Sequence, residues 1–403
     1  LQAKGSGRGV STVAIRGGRT ADIATGAILT PICQSTTYVQ SAIGQHKGHT
    51  YSRASNPTVE ALEQALAALE CGEDRECRAS CYATGMAAIT TLFLATLKAG
   101  DHVVLSNVLY GGTVRLASEV LEPLGVRVTF VDATQPQNVE RAIGDTTKLV
   151  FIETPANPTL VLTDVEAIAR ITRARGVLLA VDNTFLTPVL LRPLDLGADV
   201  SVYSTTKYIE GHNATVGGAL CTRNQQLDER LRRIRKTIGC IQAPFEAWLT
   251  LRGLKTLPLR IREHSRSAQK VAEWLAKHPL VAKVSYPGLR QFSQRELALR
   301  QHRDQSGSCY HGGIVSFELT GGETAGRTLM EAVRLCSLAE NLGAAETLIT
   351  HPVSMTHGDV PRQQRESTGI TDGLVRLSVG LEDVQDIIND LAQALDAVAS
   401  SAS

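Results

Sequence analysis

Short apolar runs alternate with segments of helical spacing from about residue 57 to residue 254, and no other feature of this chain narrows its fold so far. Asn56-Pro57 supplies an N-cap and a proline suited to the first helical position, after which Val59, Leu62, Leu66 and Leu69 fall on one helical face. Residues 86–98 read as a helix closed by Gly100, and residues 102–106 as a short buried strand. Residues 127–131, 149–153, 177–181 and 200–203 are further strand-like runs, with a helix over 165–175 ending at Gly176. Strands interleaved with helices of this length build βαβ units and a mostly parallel sheet. Beyond Leu254 a long helix over 262–278, strands over 313–319 and 374–379, and a final helix from Asp383 read as an α+β tail. The stretch up to Pro57 has little periodicity and reads as an extended arm.

Composition removes several function classes. At about 150 residues per domain, 403 residues suggest two or three domains, ample for a core without disulfides or a structural metal. A formal charge of +1 gives no reason to expect nucleic acid or an anionic membrane as partner. No apolar run approaches the roughly 18 residues of a membrane span. The start, from Leu1 to Val10, lacks the apolar core of a secretory signal, so a soluble, cytoplasmic protein is expected. Cys71, Cys77 and Cys81 lie close together, but their spacings match no common zinc pattern. They read as reduced, packed thiols, and no metal is expected. No GxxxxGK[ST] loop occurs, and Gly5-Ser-Gly7-Arg-Gly9 follows no strand, so a nucleotide-dependent enzyme has no fingerprint here.

In an open α/β sheet, ligands bind beyond the carboxyl ends of the strands. Two such ends carry unusual residues. The run Val177-Leu-Leu-Ala-Val181 leads straight into Asp182-Asn-Thr184, and a carboxylate at the tip of a buried strand needs a cation to meet it. The next run ends in Ser204-Thr-Thr206-Lys207-Tyr208, followed by Gly211-His-Asn213 and Gly217-Gly218. Hydroxyls and free N–H groups suit a phosphate, and a desolvated lysine can form a Schiff base. Pyridoxal phosphate (PLP) would use all three features: the lysine for its aldehyde, the aspartate for its ring nitrogen, the hydroxyls and N–H groups for its phosphate. Farther on, Val375, Leu377 and Val379 share one strand face, so Arg376 points the other way, into solvent or into a cleft.

The run Asp199-Val-Ser-Val-Tyr-Ser-Thr-Thr-Lys207-Tyr-Ile-Glu-Gly-His-Asn213 resembles the cofactor-lysine signature of the Cys/Met-metabolism family, the PLP-dependent transsulfuration enzymes. The resemblance continues through Tyr51-Ser-Arg53-Ala-Ser-Asn-Pro-Thr58, Thr84-Gly-Met-Ala-Ala88, Leu109-Tyr-Gly-Gly-Thr113 and Glu153-Thr-Pro-Ala-Asn-Pro158. It goes on with Val181-Asp-Asn-Thr-Phe185, Leu251-Arg-Gly-Leu-Lys-Thr-Leu257, Met355-Thr-His357 and Val375-Arg-Leu-Ser-Val-Gly-Leu-Glu382, in family order. It implies PLP-dependent transferase fold type I, aspartate-aminotransferase-like, with a mostly parallel central sheet and a smaller α+β C-terminal domain. The implied division is an arm over 1–57, a PLP-binding domain over 58–255 and a small domain over 256–403. Lys207 would bind the cofactor covalently and then shuttle protons. Asp182 would pair with the pyridinium, and Tyr110 would stack on the ring and assist acid/base steps. Gly85 and Met86 would offer N–H groups to the phosphate, with hydroxyls from Ser204 and Thr206; Thr184 and Asn157 would lie against the ring. Tyr51 and Arg53 would reach the site of a neighbouring subunit in a homotetramer built of two dimers. Arg376 would clamp the substrate α-carboxylate, with Asn341, Glu340, Asn157 and Tyr51 also on the substrate side.

Within the family, Leu338-Ala-Glu340 carries the glutamate of cystathionine γ-synthases and γ-lyases, and Gly112 stands where methionine γ-lyases typically have cysteine. The resemblance therefore implies γ-replacement or γ-elimination on a homoserine-derived or sulfur amino acid. Thr50, Asn341, Gly358-Asp359 and His311 depart from the pattern on the substrate side. An O-acylhomoserine sulfhydrylase, an enzyme specialised for another γ-activated amino acid, and a silent binding protein of the same fold are the other readings.

Overall fold

Seven strands, their apolar residues mostly buried except on the edge strand β3, line up as one sheet: β1 (Arg78–Tyr82), β2 (His102–Ser106), β3 (Arg127–Val131), β4 (Thr147–Glu153), β5 (Leu178–Asp182), β6 (Val200–Ser204) and β7 (Gly218–Thr222). Their spatial order in this computed structural model is β1-β7-β6-β5-β4-β2-β3, with β7 alone running antiparallel to its neighbours. The structure describes residues 8–18, 21–72, 76–355, 358 and 362–401. Parallel pairing needs both faces covered, and helices do this here. The helix Gly85–Thr96 buries Ile89, Leu92 and Phe93 in one apolar layer, and the helix Val165–Ala174 buries Val165, Ile168 and Ala169 in the other. Every sequence-expected strand of this half is present, and β1 and β7 are added to them.

The C-terminal half forms a smaller sheet, β8 (Val281–Ser285), β9 (Ile314–Leu319), β10 (Ser337–Leu338), β11 (Leu348–Thr350) and β12 (Leu374–Ser378), in the order β10-β11-β12-β9-β8. It packs on the helices Leu257–Leu275 and Val384–Ser401 through a core of its own around Val315, Phe317, Leu329, Val375 and Leu391. The molecule is thus α/β, with a mostly parallel central sheet and a smaller C-terminal sheet. Arg376 lies in mid-strand on β12 and is buried; of the two directions open to it, the cleft is the one taken.

Two expectations change. The opening stretch is not wholly extended: Val10–Arg16 is a helix, because Val10, Val13 and Ala14 have the i, i+3, i+4 spacing that lets one face join the core beside the helix Pro57–Cys71. Residues 1–7 lie outside the described residues. Nor are all three clustered cysteines reduced, since Cys71 and Cys77 form a disulfide and only Cys81 is a buried free thiol. The end of the helix Pro57–Cys71 and the approach to β1 bring their Cα atoms to 6.1 Å, within the span a disulfide bridges. Among the described residues no cluster of His, Cys, Asp or Glu could hold a metal, and no helix is long and apolar enough to cross a membrane.

Candidate active site

Strand ends decide where polar side chains collect. β4, β5 and β6 are adjacent and parallel, so Glu153, Asp182 and Ser204, the last residue of each, emerge on one edge of the sheet. A cavity of about 330 Å³ opens there, also lined by Gly85, Tyr110, Lys207, Glu340 and Arg376. Its size suits one small ligand.

Asp182 is buried at its position beside Glu153. Its Oδ1 accepts the Thr184 N–H at 3.0 Å and the Thr184 hydroxyl at 2.6 Å. Burial raises its pKa, and these two bonds work against the rise. Lys207 follows β6, and its Nζ donates to Oδ1 of Asn341. Burial, with the Arg376 charge adding to it, lowers its pKa to about 8, so a substantial fraction of free amine exists near neutrality. Asn341 Nδ2 in turn donates to Asn213 Oδ1 at 2.6 Å, and Asn213 Nδ2 to Glu346 at 2.9 Å. Arg376 donates from Nη1 to Oδ1 of Asn157 and from Nη2 to the Asn341 carbonyl, each at 3.1 Å. Its Nε has no hydrogen-bond partner among the described residues, and burial brings its pKa down to about 10. A buried guanidinium with donors to spare is placed to receive a carboxylate.

The helix Gly85–Thr96 starts at the cavity wall. Thr84 caps it by accepting the Ala87 N–H at 2.9 Å, which leaves the N–H groups of Gly85 and Met86 outside the intrahelical ladder. A Cβ on Gly85 would come within 3.0 Å of the Ser204 side chain, and one on Gly218 within 2.3 Å of the Thr84 carbonyl. Only glycine at both positions keeps this cradle open beside the helix N-terminus, where an anion is favoured. Gly112 serves Tyr110 in the same way, because a Cβ there would lie 2.6 Å from the tyrosine ring.

The arrangement meets the requirements of PLP. A lysine with a lowered pKa, a buried carboxylate at the tip of β5 and a glycine-lined anion cradle lie around one cavity. The residues named from the sequence divide into two groups. Lys207, Asp182, Thr184, Ser204, Thr206, Gly85, Met86, Tyr110, Asn157, Glu340 and Arg376 all border the cavity. Asn341 touches Lys207 and Arg376 from its rim. The Thr206 hydroxyl is engaged with Gly217, donating to its carbonyl at 3.2 Å and accepting its N–H at 3.0 Å. Tyr51 and Arg53 do not reach this cavity: Tyr51 is exposed, and Arg53 lies over its ring and donates to the Lys236 carbonyl.

His311 and Thr50 do not border this cavity. His311 packs edge-on to Tyr286, with Nδ1 3.2 Å from that of buried His302, and the Thr50 carbonyl accepts bonds from Thr37 and Tyr38 in the arm. Thr356, His357 and Asp359 lie outside the described residues. Two cavity residues, Arg115 and Glu153, have no role on the sequence reading. Arg115 closes the short helix begun by Gly111, one turn from Tyr110. Glu153 announces itself only as an acidic residue at the end of an apolar run.

The family described as Cys/Met metabolism PLP-dependent enzyme matches residues 11–396. The chain is 44% identical over 385 residues to cystathionine γ-lyase of Bacillus subtilis (strain 168), covering 96% of this chain and 98% of that protein. It is 42% identical over 388 residues to cystathionine β-lyase of Coxiella burnetii, with 96% and 97% covered. Among solved structures, cystathionine γ-lyase from Lactobacillus plantarum, complexed with L-serine, superimposes with a TM-score of 0.92 at 40% identity, over 97% of this chain and 100% of that one.

Proposed function

The chain belongs to the Cys/Met metabolism family of PLP-dependent enzymes, and from that premise we propose that it catalyses γ-replacement or γ-elimination on a homoserine-derived or sulfur amino acid. The specific reading is cystathionine formation from an activated homoserine ester and cysteine, or γ-cleavage of cystathionine. One observation carries it. Arg376 and Glu340 border the same cavity, so an amino acid whose α-carboxylate meets the guanidinium can extend a distal ammonium toward the carboxylate.

PLP held by Lys207 would supply an electrophilic carbon for the substrate amine and a protonated ring that accepts electron density. Lys207 Nζ, as a free amine, would take the α-proton and then a Cβ proton, and the γ-substituent would leave with the electron pair of its bond to Cγ. A pKa near 8 suits an amine to both directions of transfer. Asp182 keeps the ring nitrogen protonated, and Thr184 orients its carboxylate. Tyr110 covers the ring, Asn157 and Arg376 hold the substrate end, and Gly85, Met86, Ser204 and Thr206 surround the phosphate.

The same proposal assigns residues 1–57 to an arm, 58–255 to the cofactor domain and 256–403 to the small domain. It places Tyr51 and Arg53 at the phosphate of a neighbouring subunit in a cytoplasmic homotetramer of two dimers. The distance of Tyr51 and Arg53 from their own cavity supports that assignment.

The test is product identity. Enzyme incubated with O-acetyl- or O-succinylhomoserine plus cysteine, and separately with cystathionine, should give cystathionine or its γ-cleavage products by mass spectrometry. Consumption of sulfide alone as nucleophile would transfer the assignment to an O-acylhomoserine sulfhydrylase and remove the role given to Glu340. Lys207→Ala should lose the visible band that borohydride bleaches in the wild type and slow proton transfer by roughly 10² to 10⁴. A wild type that stays colourless with added PLP overturns the assignment of Lys207.

A further inference from the structure

Glu153 is the one buried carboxylate at the cavity to which the chemistry above gives no task. It ends β4, paired in register with Asp182 on β5. Both of its oxygens are used: Oε2 accepts the backbone N–H of Tyr110 at 2.8 Å, and Oε1 accepts the backbone N–H of Asn157 at 2.7 Å. Those two amides belong to different segments of the chain. Tyr110 precedes the short helix Gly111–Arg115, and Asn157 lies in the turn leaving β4 itself. Neither amide has a backbone partner in a strand or helix, so one carboxylate holds both.

We infer that Glu153 is a positioning residue, a single carboxylate clamp that sets the distance between the Tyr110 and Asn157 walls of the cofactor cleft. The inference rests on the cofactor site described above and not on which γ-activated substrate is turned over. Its charge state links it to Asp182. Burial, then the Asp182 charge, push the Glu153 pKa up to about 8, while the two N–H bonds pull against them. Lys207, Arg376, Arg115, Glu340 and Tyr110 are the other ionisable groups bordering the cavity. A carboxylic acid offers one strong acceptor oxygen, whereas a carboxylate offers two. Pairing Asp182 with a cationic ring nitrogen would offset the repulsion that adds to burial in raising the Glu153 pKa, so loading the site and tightening the clamp favour one another.

Glu153→Gln keeps the volume and one acceptor but turns an N–H₂ group toward the second amide. Backbone hydrogen exchange, read by mass spectrometry on peptides covering 107–113 and 154–160 of the cofactor-free protein, reports each wall separately. Read above pH 8, where Glu153 is a carboxylate, Glu153→Gln should speed exchange in one of the two peptides by roughly tenfold to a hundredfold, and Glu153→Ala in both, the range expected for losing a bond to a charged acceptor. Strand β5 peptides, read in the same experiment, should keep wild-type protection and so show that the variants fold. In the loaded protein, Glu153→Gln should weaken the circular dichroism of the cofactor band and flatten whatever pH dependence that band shows below 8, the side to which pairing of Asp182 moves the Glu153 titration. Unchanged exchange in both peptides, with unchanged dichroism and pH dependence, overturns the clamp. A colourless Glu153 variant beside a coloured wild type supports it, and a colourless wild type bears on Lys207 alone, because the exchange measurement needs no cofactor.

Discussion

Lys207 is influenced by two neighbours of opposite effect, and this makes its amine the most informative single group in the molecule. The Arg376 charge lowers its pKa, and Oδ1 of the Asn341 side chain accepts from its Nζ and so favours the protonated form. Trace acylation of the cofactor-free protein across pH should therefore follow a midpoint near 8 in the wild type. Arg376→Gln should move that midpoint up, though not to the ordinary lysine value, because burial is the larger cause and remains. Asn341→Ala should move it down, since the ammonium loses an acceptor while the neutral amine loses less. Shifts of the same sign in both variants would show that burial alone governs the group. Of these residues the sequence reveals the types well and the contacts poorly. Arg376 is legible because alternation along its strand leaves an arginine opposite Val375 and Leu377. Its bonds to Asn157 and to the Asn341 carbonyl bridge 219 and 35 residues, and no local pattern encodes such pairings.

At the scale of elements, the helix Pro57–Cys71 shows both what a local signal can do and where it stops. Asn56 accepts the Val59 N–H at 3.0 Å and Pro57 occupies the first turn, as the dipeptide leads one to expect. The same helix buries Glu63, which the apolar pattern passes over. Arg235 and Arg232, both from the helix Gln225–Ile238, reach across to it. Burial pushes the Glu63 carboxyl up, but the two guanidinium groups outweigh this and hold its pKa below the ordinary glutamate value. A depressed folded-state pKa contributes stability that is present above the unfolded value, near 4.5, and is lost as pH falls through the folded one. Glu63→Gln leaves the buried Arg235 without its carboxylate, while the partly exposed Arg232 keeps Asp228, and should cost about 3–5 kcal/mol at neutral pH. In thermal melts the gap between variant and wild type should narrow as pH drops below 4.5; a gap constant from pH 7 to pH 3 would assign the loss to packing instead. β7 escapes a sequence reading for a different reason. Gly218-Ala-Leu-Cys-Thr222 opens on glycine and alanine and holds a single large aliphatic residue, so it lacks the apolar run that marks its neighbours, and its reversed direction shows only in its pairing with β1 and β6 on either side.

At the scale of the molecule, the arm is the part that one chain leaves unfinished. Its residues 21–55 form no helix or strand, and Ile23, Val39 and Ile43 are essentially fully exposed, with Ile28 not far behind. Scattered apolar residues on a surface need no explanation, but several in one segment with almost no core of its own do. The segment ends at Tyr51 and Arg53, two cofactor candidates that their own cavity does not use. In the assembly proposed above, a second copy would cover the arm and remove both anomalies together, and its cleft would gain a tyrosine and an arginine. Wild-type protein should then run as a dimer or larger in size-exclusion chromatography with light scattering. Val39→Asp combined with Ile43→Asp should shift it toward monomer, because burying each such side chain contributes about 1.5–3 kcal/mol and losing two weakens association by on the order of a hundredfold or more. Monomer formed this way should bind PLP less tightly than the assembled wild type, and Arg53→Ala should weaken PLP binding while leaving assembly intact. A wild-type monomer with full activity would instead require that the arm fold back over its own cleft, and Tyr51 and Arg53 would have to leave the Lys236 side of the chain to do so.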